Sequence, residues 1–196
     1  MEQSKRATTR ERLVHATAIL LSERGPSGTG TAQILNAADA PRGSFYHHFP
    51  GGKDELVQAA VRSAGDETAE RIREVFESSL DLPGRMAQYF DVVASQLRQD
   101  GFLLGCAVGA TTLDMAATSA AVRETTFDVF MSWIATITSY LSAGGVPSEQ
   151  ARPLALNFLS AVEGATMIAR ALRDEAPLRA AGEAMRDATI RALARA

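Results

Sequence analysis

Several things are missing from this sequence, and each absence narrows what it can be. Its 196 residues hold one cysteine, Cys106, so no internal disulfide framework exists and the chain suits a reducing compartment, the cytoplasm. Aromatic residues reach only 6%, while alanine is abundant, which favours helices over strands. The seven prolines fall where helix ends are expected, not inside periodic runs. No secretory leader is expected, because Glu11 and Arg12 directly precede the first apolar stretch. One uncharged stretch, Val129 to Ser148, has the length of a membrane span. Its Ser132, Thr136, Thr138, Ser139, Ser142, Gly144, Gly145 and Pro147 make it too polar and broken for lipid, so it reads as a buried helix ending at Gly144.

Catalytic constellations are lacking as well. Cys106 has no histidine near it, since His15, His47 and His48 all lie in the first quarter of the chain. Adjacent His47 and His48 would point about 100° apart on a helix and cannot chelate one ion. No glycine-rich phosphate loop follows a strand. Neither an enzyme, a metal nor a cofactor is expected.

What is present is a charge asymmetry. The total is −3, yet residues 1–53 carry seven basic side chains against four acidic ones, a net +3 that leaves −6 for the remainder. The N-terminal quarter can therefore face phosphates, while the rest is repelled by them.

Apolar periodicity predicts an all-α protein of about nine helices. The first helix runs from Thr8 to Arg24 and stops at Gly25-Pro26. Thr31 is the expected N-cap of a short second helix, Ala32 to Ala38. Asp39-Ala40-Pro41 breaks the chain before a third helix from Arg42 to about Phe49, which Pro50-Gly51-Gly52 ends. A long helix then opens at Lys53 and runs to about Ser79. Leu82-Pro83-Gly84 separates it from a helix ending at Asp100-Gly101. Boundaries in 102–118 are left open, and helices over 119–143, 148–173 and 177–194 complete the chain.

Three short helices within about 45 residues, the second and third joined by a tight turn, have helix-turn-helix geometry. There the last helix enters the major groove and the preceding one crosses the backbone. Arg42, Ser44, Tyr46, His47 and His48 supply donors and acceptors for base edges and phosphates. Gly43 removes a side chain where backbone approaches DNA. Thr31 offers a hydroxyl and a helix N-terminus to a phosphate, and Lys53 offers a second phosphate clamp. Ile34, Ala38, Phe45 and Phe49 form the apolar interior.

The run Thr31-x-x-Ile34…Ala38…Gly43-Ser44-Phe45-Tyr46-His47-His48-Phe49…Lys53-x-x-Leu56 closely resembles the DNA-binding signature of the TetR (tetracycline-repressor-like) family. The likeness covers about residues 8–57. Two departures stand out: Asp39-Ala40 replaces the usual Gly-Val of the turn, and Leu35 replaces Ala. The turn around Ala40-Pro41-Arg42-Gly43-Ser44 and the later Gly105-Cys106-x-x-Gly109 resemble the LmrA/YxaF-like branch. The resemblance implies a DNA-binding domain in 1–52 and an effector-binding and dimerisation domain in 53–196. It implies a homodimeric repressor released from operator double-stranded DNA by a small, largely apolar effector, with Thr31, Arg42, Ser44, Tyr46, His47, His48 and Lys53 as DNA contacts. The alternative is a helical ligand-binding or adaptor protein without sequence-specific DNA binding.

Past residue 53 the signals are weaker. Residues 148–173 are apolar on more than one face, which suits packing on both the same subunit and a partner. Leu154, Phe158, Ala161, Val162, Ala165 and Ile168, with Met185 of the last helix, are the expected dimer contacts, in the place where the family forms a four-helix interface. Met86, Tyr89, Phe90, Phe102, Cys106, Phe127, Phe130, Met131, Trp133 and Met167 are the groups able to line an apolar pocket.

Overall fold

A computed structural model describes residues 7–195. Among them the chain forms helices and no strands, in the order α1 (Thr9–Arg24), α2 (Thr31–Ala37), α3 (Ser44–His48), α4 (Gly52–Phe76), α5 (Leu82–Gln99), α6 (Ala107–Met115), α7 (Ala120–Ala143), α8 (Ser148–Leu172) and α9 (Ala176–Leu193). None of these helices is long and apolar enough to cross a membrane.

Local chemistry explains most of the boundaries. Thr8 caps α1 by accepting from the Glu11 N–H at 3.2 Å, while Glu11 Oε2 accepts from the Thr8 N–H at 2.7 Å, a reciprocal capping box. Thr31 does not cap α2 but is its first residue. Gly30 holds the cap position, and its N–H donates to Gln33 Oε1 at 2.9 Å. The third helix is shorter than expected because Arg42 and Gly43 belong to the turn preceding it. Pro83 does not separate helices but sits in the first turn of α5, where its missing N–H is harmless. Pro153 departs from the expectation that prolines mark helix ends. It lies inside α8, on an exposed side near the helix start, where one lost backbone hydrogen bond is the main cost.

The contacts group the described residues into two compact units. The first comprises the chain through Asp66 together with Ala107–Phe127, so α6 joins the helix-turn-helix helices. Its core gathers Leu13, Val14, Ala16, Leu20, Ile34, Leu35, Ala38, Phe45, Phe49 and Leu56. The second comprises Glu67–Cys106 and the chain from Asp128 onward. Its centre is Phe158, fully buried, whose ring lies 6.0 Å from Phe76 and 5.3 Å from both Tyr89 and Phe90. Buried Glu175 ties α5 to α9 by accepting from Arg98 at 2.6 Å and from Arg179 at 3.1 Å.

The loop from Gly25 to Gly30, which delivers α2, is pinned within the first unit. The Ser27 N–H donates to Asp114 Oδ2 at 2.9 Å, and the Lys53 ammonium donates to the Pro26 carbonyl at 2.7 Å. Gly25 has φ 68 and ψ 173, a region closed to residues with a Cβ, and a Cβ there would lie 3.1 Å from Asp114 Oδ2. Gly25→Ala is therefore expected to destabilise the protein by about 1–3 kcal/mol, read as a lowered midpoint in urea unfolding; an unchanged midpoint contradicts this account of the loop.

Candidate functional site

Helix α3 is five residues long, and its period divides its side chains cleanly. Phe45 and the following Phe49 turn inward, at 2% and 0% exposure, and their rings lie 6.4 Å apart. Tyr46 turns outward at 71% exposure, its ring edge-on to Phe45 at 4.9 Å. Arg42, Gly43 and His47 are exposed beside it, while Ser44 and His48 are half-buried. The two imidazoles lie edge-to-face at 4.9 Å. Ser44 donates its hydroxyl to the Pro41 carbonyl at 2.6 Å, leaving the oxygen free to accept.

The turn before α3 has a defined chemistry. The Ala40 N–H bonds to the Leu35 carbonyl at 3.0 Å and the Asp39 N–H to the Asn36 carbonyl at 3.2 Å. Those two bonds make a Schellman motif, with Asp39 at φ 46 in the left-handed position that glycine usually fills. Asp is one of the few side-chain-bearing residues that visits this region readily. An open cleft beside the turn is lined by Ala32, Leu35, Asn36, Asp39, Ala40 and Arg42.

Of the expected phosphate contacts, Thr31 is half-buried at the start of α2. Lys53 is half-buried and anchored on Pro26, an arrangement with no sequence signal because the partner lies 27 residues away. Sequence reasoning also missed Arg12, whose guanidinium reaches the turn from α1. Arg10 stands over the Phe49 ring at 5.2 Å to its centroid.

The second unit places the expected effector residues unevenly. Met86, Phe90 and Trp133 are buried, whereas Phe102, Cys106 and Met131 are half-buried. Phe127 and Met167 are surface residues, 60% and 64% exposed, and Phe127 belongs to the first unit. What the sequence did not reveal is a polar group within this apolar body. The Arg71 guanidinium acts on the buried Tyr89 hydroxyl, and the Cys106 thiol on the Glu163 carboxyl. Burial pushes the Tyr89 phenol up to about 12, against the opposing pull of Arg71. Burial likewise raises the Glu163 carboxyl, partly offset by the Cys106 thiol.

The expected dimer residues are placed unevenly too. Leu154, Phe158, Val162, Ala165 and Met185 are buried within the subunit, and Ala161 is half-buried. Only Ile168 is exposed. The outward side of α8 instead carries Leu156, Met167, Ile168 and Leu172, and α9 adds Ile190. A helix apolar on two sides gives no clue in sequence to which side is outer.

A short helix held outward on a three-helix support, with a basic and aromatic outer face, defines a helix-turn-helix DNA-binding protein. Residues 13–60 match the family described as bacterial regulatory proteins, tetR family, and residues 84–184 match the transcriptional regulator LmrA/YxaF-like C-terminal domain. The chain belongs to the TetR family of transcriptional regulators, in its LmrA/YxaF-like branch. It is 35% identical over 174 residues to the HTH-type transcriptional regulator Rv0196 of Mycobacterium tuberculosis, covering 86% of this chain and 88% of the relative. It is 31% identical over 175 residues to YxaF of Bacillus subtilis, covering 89% and 92%. Its fold matches a TetR regulator crystal structure from Legionella pneumophila with a TM-score of 0.83, covering 93% and 97% of the two chains at 21% identity.

Glu163 yields a signed prediction. Its folded pKa is raised, so the unfolded chain releases this proton at lower pH, and stability falls as pH rises through that window. Glu163→Gln is expected to melt higher than the parent at pH 7, with the difference shrinking toward pH 4. A variant that melts lower at pH 7 contradicts the desolvation account.

Proposed function

We propose that this regulator is a homodimeric repressor that reads operator DNA through α3 and leaves it when a small molecule binds the second unit. The observation that carries the DNA-reading part is Gly43. Its φ of −70 suits any residue and no atom lies within 4 Å of where a Cβ would stand, so the fold itself does not require glycine there. A demand from outside the chain, close approach of a DNA backbone, accounts for it. Arg42, Tyr46, His47 and His48 face bases, and Thr31, Ser44 and Lys53 face phosphates. Two half-sites are needed because one short recognition helix gives too little affinity, and the partner is a second copy. The repressor sign follows a relative whose printed name is HTH-type transcriptional repressor DhaR. Such a protein acts in the cytoplasm, where the operator is.

Gly43→Ala tests this reading. Thermal stability is expected to stay within about 0.5 kcal/mol of the parent, while affinity for a selected operator duplex drops. Arg42→Ala is expected to flatten the preference for that duplex over a scrambled one, by about the 1–3 kcal/mol of one base-reading pair. Unaltered binding by both variants in fluorescence anisotropy refutes it.

The dimer forms through the outward side of α8 and α9. Leu156, Met167, Ile168 and Leu172 are exposed there, and Gly164 between them has open space beyond it. Met167→Asp is expected to shift the protein toward monomer in sedimentation velocity and to weaken operator binding with it.

The effector is a small, largely apolar molecule carrying a hydrogen-bonding group. Met86, Phe90 and Trp133 supply the apolar surface, and Tyr89, Cys106 and Glu163 supply polar anchors. A half-buried carboxyl whose charged form is disfavoured by its surroundings is the kind of group retained for binding. Ligand favours a state whose recognition helices are wrongly spaced, with α4, continuous from Lys53 into the second unit, as the connecting element.

A further inference from the structure

We propose that Arg12, on α1, is a positioning residue for operator recognition: its guanidinium sets the angle at which α3 is presented. The Schellman motif at the end of α2 satisfies the Leu35 and Asn36 carbonyls and leaves those of Ala38 and Asp39 beyond it. Arg12 takes both. Its Nε donates to the Ala38 carbonyl at 2.9 Å, and one terminal nitrogen donates to the Asp39 carbonyl at 3.1 Å. The other terminal nitrogen donates to the Ala7 carbonyl at 3.3 Å. All three guanidinium nitrogens are thus engaged with backbone oxygens, two of them on the turn that joins the two helices of the motif.

The geometry needs arginine. A planar fork reaches three carbonyls at fixed angles, whereas a lysine ammonium is a single point that cannot span them. The turn also needs holding. Asp39 is left-handed at φ 46, a conformation less comfortable for it than for the glycine usual in the family. Pro41 follows within two residues and donates no hydrogen bond of its own. Beyond it, Arg42 and a helix of only five residues carry the base-reading side chains. A small change in the turn therefore swings Tyr46 and His47 without unfolding anything.

The inference rests on the proposed reading of DNA by α3, and the experiment separates the two. The full-length protein selects duplexes from a random-sequence pool; binding to the selected duplex and to its scrambled counterpart is then measured across salt concentrations. Arg12→Lys keeps the charge. The expected result is about a tenfold loss of discrimination, the worth of one misaligned base-reading pair, with the salt dependence of binding unchanged. Val61→Ala, a core truncation in the same unit that leaves the turn untouched, serves as the stability control and is expected to keep full discrimination. In Arg12→Gln, which removes the charge, a salt slope reduced by about one with discrimination intact marks Arg12 as a phosphate contact and overturns the proposal. Equal loss of discrimination in Val61→Ala, or none in Arg12→Lys, overturns it too. Failure of the parent to select any sequence instead removes the reading on which it stands.

Discussion

The burial of Phe45 and Phe49 beneath α3 is the constraint on which the rest of the helix-turn-helix unit depends. A helix of five residues has no stability of its own, since nucleation costs more than so few backbone bonds return. It persists because two phenyl rings, each worth about 3–5 kcal/mol against alanine in a core, lock it onto Leu13, Ile34 and Leu56. Once those rings are fixed, the 3.6-residue period dictates that Tyr46 and His47 face out. The proposed DNA-reading face is thus the by-product of a packing decision made on the opposite side.

That logic explains why this part was legible in the sequence. Phe45 and Phe49 at a spacing of four, between Pro41 and Pro50, announce a short helix with one inner face. The broken stretches at Gly25 and Gly144 were equally plain, because glycine and proline act locally. Local rules also carried the all-α class. What escaped reading depends on residues far apart in the chain. Arg12 meets a carbonyl 26 residues away, and Lys53 one 27 away. Residues 107–127 pack with the helix-turn-helix helices rather than with their neighbours in sequence. On α8, apolar residues on two sides left the inner and outer faces indistinguishable. Phe158 proved to be the hub of its own subunit, while Met167 stood outside.

The two units treat polar groups differently. In the first, Thr8, Gln33, Asp114, Arg12 and Lys53 each satisfy a loop or helix-end group of the backbone. These contacts hold a shape. In the second, Arg71, Tyr89, Cys106 and Glu163 engage one another among apolar side chains, and burial works against the charged forms of Tyr89 and Glu163. An apolar replacement would pack more simply. A shape-holding unit joined to one that tolerates electrostatic tension fits the proposed division between reading DNA and binding an effector.

The bond between Lys53 and the Pro26 carbonyl has a consequence for kinetics and order. A free lysine carries about 2 kcal/mol of rotamer entropy, which a phosphate contact would ordinarily have to remove. Here the side chain is already immobilised at 2.7 Å from its carbonyl partner, with two ammonium hydrogens left over. For the proposed phosphate contact, that ordering is done in the folded chain. The positive charge waits at a fixed address beside the loop that delivers α2, preorganised by a neighbour with no charge of its own.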